Sequence, residues 1–174
     1  MEENQFGKVD VLYTESIGIP GKRIFRILAD SKSGYHATLW VDKEQVFALA
    51  TTLKKIVLEN KQEKNITDEL SENNERAESS KYLEFTVSQA SISYQEGSHL
   101  FVIQFHGISE EVPFVGDEKS AQILEISIDL SLAEAFIEQS LNECASGRGT
   151  DSVSRNSLIV SGKVNPSTNG HFHK

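Results

Sequence analysis

Gly18-Ile19-Pro20-Gly21-Lys22-Arg23-Ile24-Phe25 is the stretch around which the chain is organised, because an alternating apolar run lies on each side of it. Proline at position 20 fixes φ at roughly −65° and Gly21 accepts a positive φ, so the pair is typical of the centre of a type II turn. The alternating residues are Val9, Val11 and Tyr13 before the turn and Phe25, Ile27 and Ala29 after it. We predict two antiparallel strands, joined by a loop in which Gly18, Pro20 and Gly21 form the turn.

Two arginines are candidate ligand-binding residues. Arg23 stands beside the turn, where a guanidinium can bind an anion or contact a carbonyl. Arg148 follows Gly147, where backbone amides and a guanidinium could bind an anion, although a glycine that simply ends a helix is the plainer interpretation. If the two halves of the chain are related by a pseudo-twofold axis, Arg23 and Arg148 could approach each other, and a small anionic ligand is then a candidate partner.

These motifs resemble a mainly bacterial family that is described only as a conserved domain of unknown function. Its members carry Gly-x-Pro-Gly-x-Arg-x-Phe, then a strand ending in Glu-Lys-Glu-Gln and a helix, which here corresponds to residues 18–25 and to Val41-Asp42-Lys43-Glu44-Gln45-Val46. The family continues with a second β-rich half, a helix, Ala-Gly-Arg-Pro and a cysteine-rich tail. Gly147-Arg148 stands at the Gly-Arg position, and Asn165-Pro166 with Gly170-His171 is similar to the family's Asp-Pro-x-Gly-His.

The family's tail looks like a Cys-Pro-x-Cys-Gly…His-x-Cys zinc knuckle, and this chain departs from it. Leu158 and Ser161 stand near the cysteine positions, and the chain ends in His171-Phe172-His173 before a lysine. A structural zinc site needs four thiolate or imidazole ligands. We therefore predict neither a metal nor a cofactor.

The charge distribution bears on the choice of partner. The formal net charge is −9, from 17 basic and 26 acidic residues, which argues against broad attraction to nucleic acid or to anionic membranes. Residues 145–174 carry four basic residues against Asp151 alone, so residues 1–144 carry 13 basic and 25 acidic residues, or −12. The mildly basic tail could fold back on the acidic body or bind an acidic partner.

Composition predicts a soluble, cytoplasmic protein. The chain is 38% hydrophobic and 25% charged, which is typical of a globular domain, and it has neither a long apolar run nor a secretory leader. A single cysteine, Cys144, agrees with a reducing compartment. Its position on the apolar side of a predicted helix indicates a buried thiol rather than a nucleophile.

The strand predicted over residues 35–41 places His36 and Trp40 on one face and Leu39 and Val41 on the other. If the His36 and Trp40 face is exposed, it is a candidate recognition surface; if another layer covers it, both residues are core. We favour the core interpretation, because tryptophan is usually mostly buried.

Two helices are predicted from capping patterns. Asp42 and Gln45 fit a capping box that begins a helix over residues 43–58, and Ser131 with Glu134 fits a second one, whose helix ends at Gly147. Residues 59–80 are acidic and poor in apolar residues, which predicts a linker. Within residues 81–128 the alternation changes phase near Ser88-Gln89, which predicts a bulge or turn, and residues 107–120 read as a long loop.

The two halves show the same pattern, because Val41-Asp42 and Ile128-Asp129 each lead from an apolar strand into a helix. The sequence therefore predicts an α+β fold of two pseudo-repeats, each with three or four antiparallel strands followed by one helix, packed together as one domain. The predicted divisions are a first repeat at 8–60, an acidic flexible linker at 61–80, a second repeat at 81–147 and a flexible basic tail at 148–174.

Three functions stay open at this point. The chain lacks phosphate-binding loops, dinucleotide fingerprints, metalloprotease motifs and nucleophile elbows, which favours a non-enzymatic binding or adaptor protein with an unknown protein partner. The repeated strands-then-helix pattern looks like the PUR and whirly-type binders of single-stranded nucleic acid, although only three strands are clear in the first half. A phosphate-handling enzyme that uses Arg23 and Arg148 is the third.

Overall fold

The computed structural model describes residues 2–61, 80–109 and 120–146. Across these residues the chain forms one seven-stranded sheet and two helices, which confirms a mixed α+β architecture. Most of the predicted linker, part of the predicted loop at 107–120, and the tail with Arg148 lie outside the described residues.

The elements follow a simple order along the chain. They are β1 (Glu2–Lys8), β2 (Val11–Ile17), β3 (Ile24–Asp30), β4 (Tyr35–Val41), α1 (Lys43–Asn60), β5 (Lys81–Gln95), β6 (Leu100–Ser109), β7 (Ser120–Ile128) and α2 (Leu130–Ala145). The strand order in the sheet is β1-β7-β6-β5-β4-β3-β2. The β1·β7 and β4·β5 pairs are parallel, and the other neighbours are antiparallel.

The glycine-bracketed loop reverses the chain between β2 and β3. The Lys22 N–H donates to Ile19 O at 2.9 Å and Gly21 has a φ of 87°, as the third residue of a type II turn requires. Gly18 has a φ of 113°, and a Cβ at this position would lie 2.6 Å from Lys22 O. Both positions therefore favour glycine, and the strands on either side pair from Val11 with Asp30 to Ile17 with Ile24.

The first strand was not expected. The polar composition of residues 1–7 does not indicate a strand, but Glu2–Lys8 pairs with β7, so the first half contains four strands rather than the three that were clear from the sequence. Asn4 and Phe6 are buried while Glu3 and Gln5 are exposed. The alternation was masked because a buried asparagine takes one of the inward positions; its side-chain amide donates to Gln122 Oε1 at 3.3 Å.

The sheet bends until its two edges meet at one corner. β1 and β2 are the edge strands, yet only Val9 and Asp10 separate them in the chain. The Val9 N–H donates to Ser127 O of β7 at 3.0 Å, and the Asp10 N–H donates to Asp30 O of β3 at 2.9 Å. Because neighbouring residues bond to strands at opposite ends of the sheet, the sheet must be strongly curved.

The predicted irregularity in β5 is confirmed. The β5·β6 register shifts between Val87 and Gln89, which leaves Ser88 as the extra residue of a bulge. Lys81–Thr86 pairs with β4, and from Thr86 onwards, across the bulge, the strand pairs with β6. A single strand therefore joins the two halves of the sheet.

Both helices start at an aspartate. The Asp42 N–H donates to Gln45 Oε1 at 2.8 Å, as the capping pattern predicted. The second prediction is wrong in its residue, because Asp129, and not Ser131, is the N-cap of α2 and accepts from the Leu132 N–H at 2.9 Å. Asp129 follows the last strand residue directly, so the chain turns into the helix two residues earlier than expected.

One hydrophobic core holds the sheet and the helices together. The buried helix residues are Val46, Leu49, Ala50, Leu53 and Val57 in α1, and Ala133, Phe136, Ile137, Ser140 and Cys144 in α2. They pack against fully buried strand residues such as Ile27, Leu39, Phe105 and Ile126. Cys144 is 5% exposed, as expected for a structural thiol, and its Sγ lies 3.8 Å from Lys43 O at the start of α1.

Candidate functional site

The face of the sheet turned away from the core carries a cluster of aromatic and charged side chains on β2 to β5. Leu39 and Val41 belong to the core, so His36 and Trp40, which alternate with them on β4, lie on the opposite face. We call this cluster the outer patch, and it consists of Tyr13, Glu15, Arg26, Asp30, His36, Trp40, Tyr82 and Glu84. Cross-strand register places Arg26 beside Trp40, and His36 beside both Asp30 and Tyr82.

Trp40 is held in place by its neighbours on both sides. Its indole Nε1–H donates to Glu84 Oε1 at 2.7 Å, and the Arg26 guanidinium carbon lies 5.8 Å from the centre of its ring. Arg26 also pairs with Glu15 at 2.6 Å. Trp40 is half-buried and stands outside the core, so the expectation that it belongs to the core is wrong. The core is formed by buried strand residues on the other face of the sheet, so Trp40 lies on the surface side.

Two further contacts join polar groups within the outer patch. His36 Nδ1 lies 2.7 Å from Asp30 Oδ1, and the Tyr82 hydroxyl donates to Glu84 Oε2 at 2.8 Å. A hydrogen bond with Thr38 lowers the pKa of Tyr82, but partial burial and the negative charge of Glu84 outweigh it. The pKa of Tyr82 therefore lies above its ordinary value of 10.0.

Apolar side chains widen the exposed face towards the edge strand. Tyr13 is 39% exposed and Tyr82 is 60% exposed. Val11, Ile17 and Ile24 are exposed beside them on β2 and at the start of β3. Exposed aromatic and aliphatic groups mixed with paired charges are typical of recognition surfaces.

Arg23 does not belong to this surface. Its guanidinium donates to Ser146 Oγ at 2.8 Å, which ties the β2–β3 loop to the end of α2. Arg148 lies outside the described residues, so its approach to Arg23 stays a prediction. The contact with Ser146 gives Arg23 a structural role that needs no anion.

A second feature is a groove of about 290 Å³ between α1 and β5, which no motif pointed to. Its walls are formed by Gln45, Ala48 and Thr52 of α1 and by residues 87–92 of β5, and its floor by core residues such as Ile27, Leu49 and Phe105. The phase change at Ser88 was the sequence signal for this groove, because β5 stops pairing with β4 at Thr86, and no described strand pairs with that side of the residues after the bulge.

The other helix covers the corresponding side of β2. Gln139 Oε1 accepts from the Thr14 N–H at 2.8 Å, and its amide donates back to Thr14 O. Glu143 Oε1 accepts from the Ser16 N–H at 3.2 Å. The free edge of β2 is thus satisfied by side chains of α2, which protects it from pairing with another strand.

The sequence model described as Protein of unknown function (DUF3090) matches residues 4–159. The chain belongs to this family. No curated protein and no solved structure matches it significantly.

In this DUF3090 member, those residues of the family motifs that the structure describes have structural roles. Phe25 is 3% exposed in the core, Gly18 and Gly21 have positive φ, and Gln45 caps α1. Among residues 2–61, 80–109 and 120–146, no group of three or more His, Cys, Asp or Glu side chains could hold a metal ion. Within the same ranges, no helix has both the length and the apolar character that a membrane span needs.

Proposed function

We propose that this DUF3090 protein is a non-enzymatic binding protein that recognises a partner through the outer patch. The observation that carries the proposal is the fixed position of Trp40, which holds its ring on an open sheet face between Arg26 and Glu84. A large aromatic side chain that is ordered before binding loses little conformational entropy when a partner packs on it. Tyr13 and Tyr82 extend the same surface.

The charges of the patch favour a basic segment of a partner protein. The patch contains three carboxylates, those of Glu15, Asp30 and Glu84, and one guanidinium, that of Arg26, which pairs with Glu15. Residues 1–144 carry −12 in total. Aromatic rings beside carboxylates attract lysine and arginine side chains through cation–π and ionic contacts. The proposal places the protein in the cytoplasm, in agreement with its single, buried cysteine.

We further propose that the fold is a duplication of a β-β-β-β-α unit. Asp42 and Asp129 start the two helices, and each of the five buried positions of α1 has its counterpart 87 residues later in α2, from Val46 with Ala133 to Val57 with Cys144. The strands support the same division. β1 pairs in parallel with the strand before α2, and the first part of β5 pairs in parallel with the strand before α1.

In this scheme the bulge at Ser88 corresponds to the break between β1 and β2, so that β5 serves as the first two strands of the second unit. The repeats would be residues 8–60 and 81–147, extended at the start by β1. Each unit gives its first strand to the other, which explains why neither would have a complete sheet alone.

The second candidate is binding of single-stranded nucleic acid. Four strands and a helix, repeated, look like the PUR and whirly-type binders, and Tyr13, Trp40 and Tyr82 lie on an open sheet face on which bases could stack. The interleaved carboxylates would repel phosphates, so this candidate ranks second.

Trp40 is the single tryptophan of the chain, so its fluorescence reports on the patch directly. The probes are a short peptide of alternating lysine and valine, its glutamate counterpart and an oligothymidylate. We expect a saturable fluorescence change with the lysine peptide alone, weakened by salt. A change with the oligothymidylate instead would select the second candidate, and no change with any probe would reject both.

A pair of variants tests whether the carboxylates are responsible. Glu84→Gln should weaken binding of the lysine peptide by up to about fivefold, the effect of an exposed ion pair worth about 1 kcal/mol. Glu138→Gln, an exposed carboxylate on α2 away from the patch, should leave the affinity unchanged. Equal effects of the two substitutions would mean that only net charge matters and that the patch is not the site.

A further inference from the structure

The groove beside α1 contains a strand edge with which no other described strand pairs. β4 pairs with β5 only from Lys81 to Thr86, so residues 89–95 pair with β6 alone among the described strands. Gln45 Nε2 donates to Val87 O at 3.2 Å, which shows that this carbonyl faces α1 and not β6. Val87 pairs with Gly107 of β6, and β6 itself has no bulge here. Because the direction of the backbone groups alternates along β6, the N–H and C=O groups of Ala90, Ile92 and Tyr94 point to the same side as the Val87 carbonyl, away from β6.

α1 lacks the side chains that cover such an edge. Counted from the helix N-caps Asp42 and Asp129, the positions of Gln139 and Glu143 in α2 correspond to Thr52 and Ile56 in α1. Thr52 is too short to reach a strand backbone in the way Gln139 does, and Ile56 packs towards the core. The edge of β2 is therefore occupied by its helix, while that of β5 opens onto the groove.

The lining fits an extended, uncharged peptide segment. Its walls carry amide, hydroxyl and methyl groups, including those of Gln45, Ala48 and Ser91, and its floor is apolar. None of the described residues that line it is charged. A strand placed here would bond to the β5 backbone and put alternate side chains on the floor, as in β-strand addition.

The chain itself supplies such a segment close by. α2 ends at Ala145, and Cys144 Sγ lies 3.8 Å from Lys43 O, two residues before Gln45 at one end of the groove. Residues 147–174 follow, and within them Ser157-Leu158-Ile159-Val160-Ser161 combines β-branched and apolar residues with small polar ends. Residues 147–156 can span roughly 33 Å when extended, whereas Gln45 to Thr52 covers about 10 Å of helix.

Charge also favours an intramolecular contact. Residues 145–174 sum to +3 and residues 1–144 to −12. Arg155 and Lys163 flank the apolar run, so they can stay in solvent near the acidic body while the uncharged residues enter the uncharged groove.

We propose that residues 157–161 add a strand to the free edge of β5 in the groove beside α1. The added strand satisfies the outward N–H and C=O groups between Ala90 and Tyr94 and extends the sheet by one strand. The added strand thus covers the edge of β5, as the side chains of Gln139 and Glu143 cover the edge of β2.

Residue-resolved amide hydrogen exchange of the full chain tests this proposal. The amides of Leu158–Val160 should exchange at least about tenfold more slowly than unstructured amides. Ile159→Pro removes a donor and cannot continue a strand pairing, so it should return these amides to the unstructured rate and speed exchange at Ile92 and Tyr94. Val164→Pro, outside the segment, should change neither.

A second pair of variants blocks the groove from the other side. Ala48→Trp fills it and should release residues 157–161, while Ala135→Trp, the exposed alanine at the same distance from the N-cap of α2, should not. Unstructured exchange rates at Leu158–Val160 in the unmodified chain would overturn the proposal. Protection that disappears on dilution together with a dimer would also overturn it, because a second copy would then be the occupant.

Discussion

The indole Nε1–H of Trp40 donates to Glu84 Oε1 at 2.7 Å, and this contact joins β4 to β5 on the outer face of the sheet. The two strands are parallel neighbours, although α1 and residues 62–79 separate them in the chain. Glu84 also accepts from the Tyr82 hydroxyl at 2.8 Å. One carboxylate thus orients two aromatic side chains on an open surface, which is the basis for the binding role proposed above.

The first prediction concerns the titration of Tyr82. Thr38 lowers its pKa, whereas partial burial and Glu84 raise it more, so the pKa lies above 10.0. The fold therefore favours the neutral phenol, and the stability from this group is present below pH 10.0 and is lost as the pH rises through the folded-state pKa. Glu84→Gln should lower the pKa of Tyr82, measured by NMR titration of its ring. An unchanged pKa in this variant would refute the role of Glu84, and Glu96→Gln serves as the control.

The second prediction concerns a buried hydroxyl pair between sheet and helix. Thr14 Oγ1 and Ser140 Oγ lie 2.7 Å apart, and the two residues are 1% and 0% exposed. Ser140→Ala should lower the free energy of unfolding by about 1 to 3 kcal/mol, because it leaves the Thr14 hydroxyl without this partner. The double variant with Thr14→Val should cost less than the sum of the single changes in urea denaturation. Strict additivity would show that the hydroxyls do not interact.

The third prediction concerns the close approach of β5 and β6 at the bulge. A Cβ added to Gly107 would lie 2.1 Å from Thr86 O and 2.4 Å from the Phe85 ring. Gly107→Ala should lower the free energy of unfolding by about 1 to 3 kcal/mol or more, since backbone must move. Gly97→Ala in the β5–β6 hairpin meets no neighbouring atom and should change stability little. Thermal denaturation of the two variants compares them directly, and similar melting temperatures would contradict the expected crowding.

The fourth prediction separates the observed helix cap from the one expected from sequence. Asp129 accepts from the Leu132 N–H at 2.9 Å and pairs with Lys8 at 3.0 Å. Asp129→Ala should destabilise the protein by about 1 kcal/mol, the usual cost of a lost N-cap. Ser131→Ala should be close to neutral in the same denaturation assay. A larger effect at Ser131 would return the cap to the position that the capping pattern favoured.

Local patterns predicted the elements whose signals are contained within a few residues. Alternation around Pro20 and Gly21 located β2 and β3, the phase change at Ser88 located the bulge, and Asp42 with Gln45 located the start of α1. These features depend on backbone preferences and on side-chain periodicity, which short stretches of sequence record. β1 was missed because it is an edge strand whose inward positions include Asn4, so its polar composition resembled a loop.

The candidate sites were less accessible to sequence reasoning than the elements. Trp40 and His36 could be assigned to one face of β4, but whether that face was covered depended on where the helices pack. Arg23 was singled out for its charge, yet its contact is with Ser146, more than a hundred residues away. The sequence did not indicate Tyr82 and Glu84 as site residues, because Trp40, with which Glu84 forms a hydrogen bond, lies on another strand.

By itself the sequence determined the α+β class, the glycine-dependent turn, the bulge and the family to which the chain belongs, since these follow from local conformational preferences and motif spacing. Only the tertiary structure decided that both helices pack on one face, leaving the outer patch open. It also decided that α2 covers the edge of β2 while α1 leaves the edge of β5 beside a groove. Such outcomes depend on contacts between residues far apart in the chain, whose free energy no local stretch of sequence contains.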